Sequence, residues 1–198
     1  MKANKKVVIF MGSHKASGNS GWIVEKLTSR FSIEGCDVNV LDINKLKISH
    51  CIDCDCCRQN YGKCVYEDDM NLVYQLMRTA DGIIIVSPVY FNNVTSKLKV
   101  LIDRCQMIFM CDFAHQKPFV SSLNVEEKFG FLISLGGANA YENQFVGSEL
   151  TVELLYRNLR MPLMGHFKYA GLDHDRIEDR ATVFDEDMDL LVRKVLMR

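Results

Sequence analysis

Proline is scarce in this chain, three residues in 198, and no Ser/Gly-rich linker, low-complexity tract or internal repeat accompanies it. Nothing therefore marks a hinge between separately folding parts. The whole of 1–198 is expected to form one domain, since about 100–200 residues suit a single compact unit. Charge of one sign is missing too. A net charge of −1 gives no basic footprint for nucleic acid or an anionic membrane, so neither is expected as a partner. Long apolar runs are absent. The basic start Met1–Lys6 is followed by only five apolar residues, Val7 to Met11, short of a secretory core of roughly 7–15. No stretch approaches the roughly 20 apolar residues of a membrane span, and the chain reads as soluble and cytoplasmic. The five histidines are scattered without an H-x3-H pair and receive no role.

What is present is an apolar content of 48%, ample for a core, and eight cysteines. A reducing cytosol does not favour structural disulfides, so the cysteine spacing carries information. Cys36, Cys105 and Cys111 stand in apolar surroundings and read as packing, as do the ten methionines.

Apolar runs at 5–11, 37–42, 82–87, 128–135 and 161–169 predict strands. Helical patterns at 19–33, 68–79, 94–110, 143–159 and 184–197 alternate with them, with Asp68 or Asp69 as cap of the second. The acids from Glu178 to Asp189 read as a solvated helix face. Gly82-Ile83-Ile84-Ile85-Val86-Ser87 is continuously apolar up to its serine, as suits a central parallel strand covered on both faces. The alternation predicts an α/β doubly wound parallel sheet of five strands in flavodoxin order, 2-1-3-4-5, with helices on both faces. Ligands of such folds bind at the carboxyl ends of the strands.

Three loops at that edge carry polar and small residues. After the first strand comes Gly12-Ser13-His14-Lys15-Ala16-Ser17-Gly18-Asn19-Ser20. A strand, a small polar loop and a helix aim several backbone N–H groups at one phosphate, and Ser13, Ser17 and Ser20 add hydroxyls. A plain serine-capped turn is the simpler alternative, though it needs one such residue. The loop is neither G-x-x-x-x-G-K-[ST] nor G-x-G-x-x-G, so a monophosphate fits better than a nucleoside triphosphate or a dinucleotide. After the third strand, Ser87-Pro88-Val89-Tyr90-Phe91-Asn92-Asn93 brings two aromatic rings and two amides suited to a flat heterocycle. After the fourth, Ser134-Leu135-Gly136-Gly137 allows close backbone approach, or forms an ordinary turn. One phosphate and one flat ring describe flavin mononucleotide, FMN.

In combination, Gly12-Ser13, Gly18-Asn19-Ser20, Ser87-Pro88-Val89-Tyr90 with Asn93, Leu98-Lys99 and Ile102-Asp103-Arg104 resemble the NADPH-dependent FMN reductases, a flavodoxin-like family. The resemblance covers residues 5–170 and implies an FMN-dependent oxidoreductase. Electrons would pass from NAD(P)H through FMN to a small acceptor such as a quinone or free flavin. It implies that Ser13, Gly18, Asn19 and Ser20 hold the FMN phosphate. Pro88, Val89, Tyr90, Phe91 and Asn93 would line the ribityl chain and ring, with Gly136 and Gly137 in the third loop. Many members carry arginine where His14 stands, which passes charge compensation to Lys15. Sites of this kind border a subunit interface, implying a homodimer or homotetramer. No side chain is required as nucleophile or general base, and no catalytic residue is assigned.

The segment 48–67 interrupts the alternation and contains C-x2-C-x2-C-x6-C: Cys51, Cys54, Cys57 and Cys64. Three close thiolates and a fourth after a short loop can wrap a compact cluster. With Asp68-Asp69-Met70 behind it, the pattern resembles the iron–sulfur flavoproteins of the same family. There the matching cysteines bind a [4Fe–4S] cluster beside the flavin. That implies an electron carrier with ferredoxin as partner. A zinc site, a Cys54/Cys57 redox dithiol, or free cysteines bordering a flavin remain alternatives, as does a nucleotide-binding sensor without redox chemistry.

Overall fold

The computed structural model describes residues 4–120 and 125–197; the basic start at 1–3 lies outside them. The strands are β1 (Lys6–Met11), β2 (Asp37–Asp42), β3 (Gly82–Pro88), β4 (Phe129–Leu135) and β5 (Leu163–Tyr169). All pairings are parallel and the order is β2-β1-β3-β4-β5, the flavodoxin order expected. Each strand sends alternate residues to opposite faces. Val7, Ile9 and Met11 meet Ile23, Leu27 and Phe31 of α1 (Asn19–Ile33) and Phe184 and Met188 of α7 (Ala181–Leu196). Val8 and Phe10 face Val73 and Met77 of α3 (Met70–Thr79), while Leu132 of the same layer packs with Val152 and Leu155 of α6 (Val146–Asn158). This double cover makes Ile83–Val86 unbroken in apolarity, since neither face meets water.

Several local expectations shift. The helix expected over 94–110 is two helices, α4 (Ser96–Arg104) and α5 (Gln106–Phe113). At the junction the Cys105 N–H donates to the Ile102 carbonyl, three residues back at 2.9 Å, and the Cys105 carbonyl accepts from Ile108 at 2.8 Å. Such tightened turns redirect a helix without proline or glycine. α6 begins at Val146 rather than 143, after Asn143 takes a left-handed φ of 62°. β5 begins at Leu163 rather than 161, and α7 starts three residues before the expected 184. In α3, Asp69 occupies the cap position without capping; the Asp68 carboxylate accepts the Met70 N–H instead, at 3.1 Å. The C-terminal acids are not simply solvated. Asp185 and Asp189 pair with Arg30 of α1, and Asp187 accepts the Tyr169 hydroxyl at 2.7 Å. Cys105 and Cys111 are buried as expected, but Cys36 only half so. The cysteine segment contains the single turn α2 (Cys56–Gln59), and Leu46, Ile48, Cys57 and Tyr61 pack on the core.

Because every strand is parallel, the connections after β1, β2, β3, β4 and β5 all leave the sheet at one edge. The glycine-serine loop, the cysteine segment and the aromatic loop are thereby neighbours on that edge.

Candidate flavin cleft and cysteine pocket

A cleft of about 560 Å³ opens at the carboxyl edge. Ser13, Lys15, Gly18, Asn19 and Ser20 line it from the first loop, Pro88, Val89 and Tyr90 from the third-strand loop, and Gly137 from the fourth. The N-cap of α1 is Gly18, which brings no capping side chain, and the first turn contains no acidic residue. The first helical bond runs from the Trp22 N–H to the Gly18 carbonyl at 3.1 Å. The backbone donors of Asn19, Ser20 and Gly21 precede it and point out of the helix end, where they and the dipole favour an anion. Gly21 is required here: a Cβ would stand 1.6 Å from the Ala16 carbonyl oxygen. The loop therefore lies flat against the helix start.

The Ser13 hydroxyl is occupied within its own loop, accepting from the Lys15 N–H at 3.1 Å. Asn19 accepts the Ile177 N–H at 3.1 Å, tying the cleft to the segment after β5. That segment supplies Leu172, Asp173 and Arg176 to the lining, which the sequence reading did not single out. The run of charges from Asp173 to Arg180 was the available signal. Arg176 adds a second cation beside Lys15 to the lining.

Six expected residues do not line the cleft. Ser17 is exposed on the first loop. Tyr90 and Asn93 exchange backbone hydrogen bonds of 2.8 and 3.0 Å around Phe91 and Asn92, whose φ values are 49° and 59°. Two positive φ values define a type I′ turn. Asparagine tolerates this conformation, but for phenylalanine it is strained by roughly 1–3 kcal/mol. The Phe91 ring stands fully in solvent next to the cleft-lining Tyr90. Gly136 is buried, and its N–H donates to the Tyr169 carbonyl at 2.7 Å.

Ser134 falls on the α6 face of β4, where its Oγ is 2.8 Å from His166 Nε2. His166 Nδ1 in turn is 3.0 Å from Glu149, which also accepts from Lys168 at 2.8 Å. Burial pushes the His166 pKa down against the pull of Glu149. The Lys168 and His166 hydrogen bonds hold Glu149 below the usual carboxylate range. The order Ser–His–Glu is that of a hydrolase, but Ser134 has no exposed surface. The cluster joins β4, β5 and α6.

The four spaced cysteines line one pocket beside α5, together with Cys56, Tyr66, Arg104 and Met107. All are free thiols. Asp53 and Asp55 hold φ values of 51° and 57°, and Gly62 holds 67°. Aspartate and glycine are suited to this left-handed region, and the three positions curl the chain around the pocket. Burial raises the Cys57 pKa, and Cys64, Cys51 and Cys54 push it further the same way. Those are the partners the spacing named; Cys56 is not among them. Among the described residues, no group of three or more His, Cys, Asp or Glu is arranged to hold a metal ion. Zinc bonds each sulfur at about 2.3 Å and so draws four together around one point.

The sequence description NADPH-dependent FMN reductase matches residues 5–169. The chain belongs to that family. FMN and flavin-linked electron transfer from NAD(P)H come with the membership. An iron–sulfur flavoprotein of Methanocaldococcus jannaschii is 28% identical over 151 residues, 76% of this chain and 69% of the relative. A second from the same organism is 37% identical over 132 residues, covering 67% of this chain and 62% of the relative. The matched part thus spans roughly two thirds of those relatives' length. An azoreductase of Bacillus anthracis superposes with a TM-score of 0.68 at 16% identity, covering 96% of this chain and 99% of that one. An FMN-dependent NADH-azoreductase of the same species, solved in complex with FMN, gives 0.66 at 14%, covering 97% and 100%. These likenesses confirm the flavodoxin-like fold. No helix among the described residues is long and apolar enough to cross a membrane.

The cleft lining brings together the start of α1, the cations Lys15 and Arg176, and Tyr90 with Gly137. At Gly137 the bare backbone leaves room for the Asp173 carboxylate, which a Cβ would meet at 2.2 Å and displace.

Proposed function

We propose that this chain is a cytoplasmic, single-domain flavin oxidoreductase with FMN across the cleft and a [4Fe–4S] cluster in the cysteine pocket. The uncapped, acid-free N-terminus of α1 inside a cleft of about 560 Å³ carries the flavin part of the reading. The backbone donors of Asn19 and Ser20, with Lys15 and Arg176, hold the phosphate. Pro88, Val89, Tyr90 and Gly137 border the ring, with Ser13 and Gly18 shaping the loop between. Bound FMN supplies two-electron exchange with NAD(P)H and one- or two-electron delivery to an acceptor; the protein binds, orients and tunes it.

Cys51, Cys54, Cys57 and Cys64 would hold the cluster, which supplies one-electron transfer. Their convergence on one pocket, with the iron–sulfur flavoproteins among the relatives, supports this reading. With the cluster present, the second reading gains weight: an electron carrier served by ferredoxin rather than a reductase of quinones or free flavin. A homodimer or homotetramer is the assembly we infer for either reading.

Absorption of anaerobically purified protein, with iron and acid-labile sulfide assayed on the same sample, tests both cofactors. Flavin bands with about four irons and four sulfides per chain are expected for a cubane. Flavin without iron would remove the cluster; no flavin after FMN addition would overturn the central reading. NAD(P)H oxidation with an added quinone, set against reduction by ferredoxin, separates the two roles.

A further inference from the structure

Arg104 ends α4 with its side chain only 1% exposed. One terminal nitrogen donates to the Ser49 carbonyl at 2.8 Å and to Asp68 at 2.7 Å, the other to Asp68 at 3.2 Å. The guanidinium carbon lies 4.9 Å from the centre of the Tyr66 ring. Both terminal nitrogens are thus engaged, whereas the Nε–H is buried and has no partner. A buried donor left unpaired is costly, all the more on a cation. Arg104 lines the cysteine pocket, and Cys64 is among the groups that interact with its charge. Asp68 and the Ser49 carbonyl hold the terminal nitrogens, and Arg104 lines the cysteine pocket together with Tyr66. The sulfur-rich pocket is therefore the place for the acceptor that Nε lacks.

We infer that Arg104 is a positioning and tuning residue, whose Nε–H donates to a sulfur of the cluster–thiolate assembly and raises its reduction potential. This rests on the cluster reading above. Taking up one electron adds one negative charge to that assembly. A fixed cation and hydrogen-bond donor stabilise the reduced form more than the oxidised one. Asp68 opposes part of this charge while holding the guanidinium in place.

The opposed charges make the test specific. Wild type, Arg104→Gln, Arg104→Lys and Asp68→Asn are reconstituted anaerobically with iron and sulfide, and the cluster midpoint is read by EPR-monitored titration. Arg104→Gln should lower the equilibrium constant for reduction about tenfold, or about 59 mV in a one-electron couple. Arg104→Lys should fall between that variant and wild type. Asp68→Asn should move the midpoint the other way. A merely structural ion pair would shift both partners' variants in one direction or in neither, and that result would overturn the inference. If the Arg104 variants fail to fold, wild type grown with 15N-arginine decides: nitrogen coupling to the reduced cluster in pulsed EPR supports the inference, and its absence overturns it. A wild type that takes up no iron and sulfide defeats the cluster reading and this inference together. A full cluster with an unmoved midpoint in Arg104→Gln defeats this inference alone.

Discussion

The Thr95 hydroxyl donates to the Gly12 carbonyl across the sheet edge at 2.7 Å. Thr95 is the N-cap of α4, yet it makes no cap to its own helix. Its hydroxyl fastens the phosphate loop to the aromatic loop instead, while its N–H donates to Ser87 Oγ at 3.3 Å. The residue is fully buried. Thr95→Val keeps the shape and leaves the Gly12 carbonyl without this donor. The expected loss is about 1–3 kcal/mol, or roughly 2–4 °C in Tm per kcal/mol at this chain length. Calorimetry reads the stability, and flavin fluorescence titration should show weaker FMN binding. An unchanged Tm would mean that the two loops are held by other contacts.

On the proposed cluster reading, the cysteines divide into ligands and a spare. Cys57→Ser and Cys64→Ser should reduce iron per chain to background after reconstitution, because a cubane losing one thiolate is not retained. Cys56→Ser should keep it, since Cys56 stands outside the C-x2-C-x2-C-x6-C spacing. FMN content should stay at the wild-type level in all three, as none of these residues lines the flavin cleft. Iron loss from Cys56→Ser would assign the ligands differently.

The sequence was most legible where one residue pattern has one structural use. Unbroken apolar runs at Val7–Met11 and Ile83–Val86 required two-sided cover, and the strand order followed. Gly18 and Ser20 stand where a loop opening a helix places them, at the cleft-lining start of α1. Contacts reaching far along the chain were hidden. Nothing in the local pattern tells that Asn19 binds Ile177, or that Arg176 returns to the same cleft. Ser134 could point to either face, and only strand register turned it toward His166. The break at Cys105 has no breaker residue; it follows from α5 packing beneath the cysteine turn α2. Of the two caps offered for the second helix, Asp68 makes the bond, to the Met70 N–H, and Asp69 does not.

Acid should loosen the sheet edge that His166 joins. Burial places the His166 pKa below its ordinary value of about 6.5. A histidine depressed in the folded state leaves stability intact above the unfolded pKa. Stability is then lost as pH falls from about 6.5 through the folded value. Glu149 is depressed as well, so its contribution is present above its ordinary pKa of about 4.3 and is lost in more acidic solution. Urea midpoints measured between pH 8 and 4 should decline below about pH 6.5 in wild type. His166→Gln should flatten that first decline. A wild-type curve level across this range would show that Glu149 fully offsets the burial of His166.

Gly18 offers a test in which stability and binding move in opposite directions. Its φ of −95° is open to any residue, and an added Cβ would lie 3.6 Å from the nearest atoms of Lys15. Gly18→Asp therefore fits without strain. It supplies the cap and the first-turn negative charge that α1 lacks, adding roughly 0.3–1 kcal/mol of stability. The same carboxylate fills the anion site. Two like charges about 6 Å apart in a partly buried setting repel by about 3 kcal/mol. FMN affinity should fall about tenfold or more, while riboflavin, which lacks the phosphate, should bind as it does to wild type. Raised salt should recover part of the FMN loss through screening. Equal losses for FMN and riboflavin would move the phosphate away from α1, and the flavin would then have to enter the cleft in another orientation.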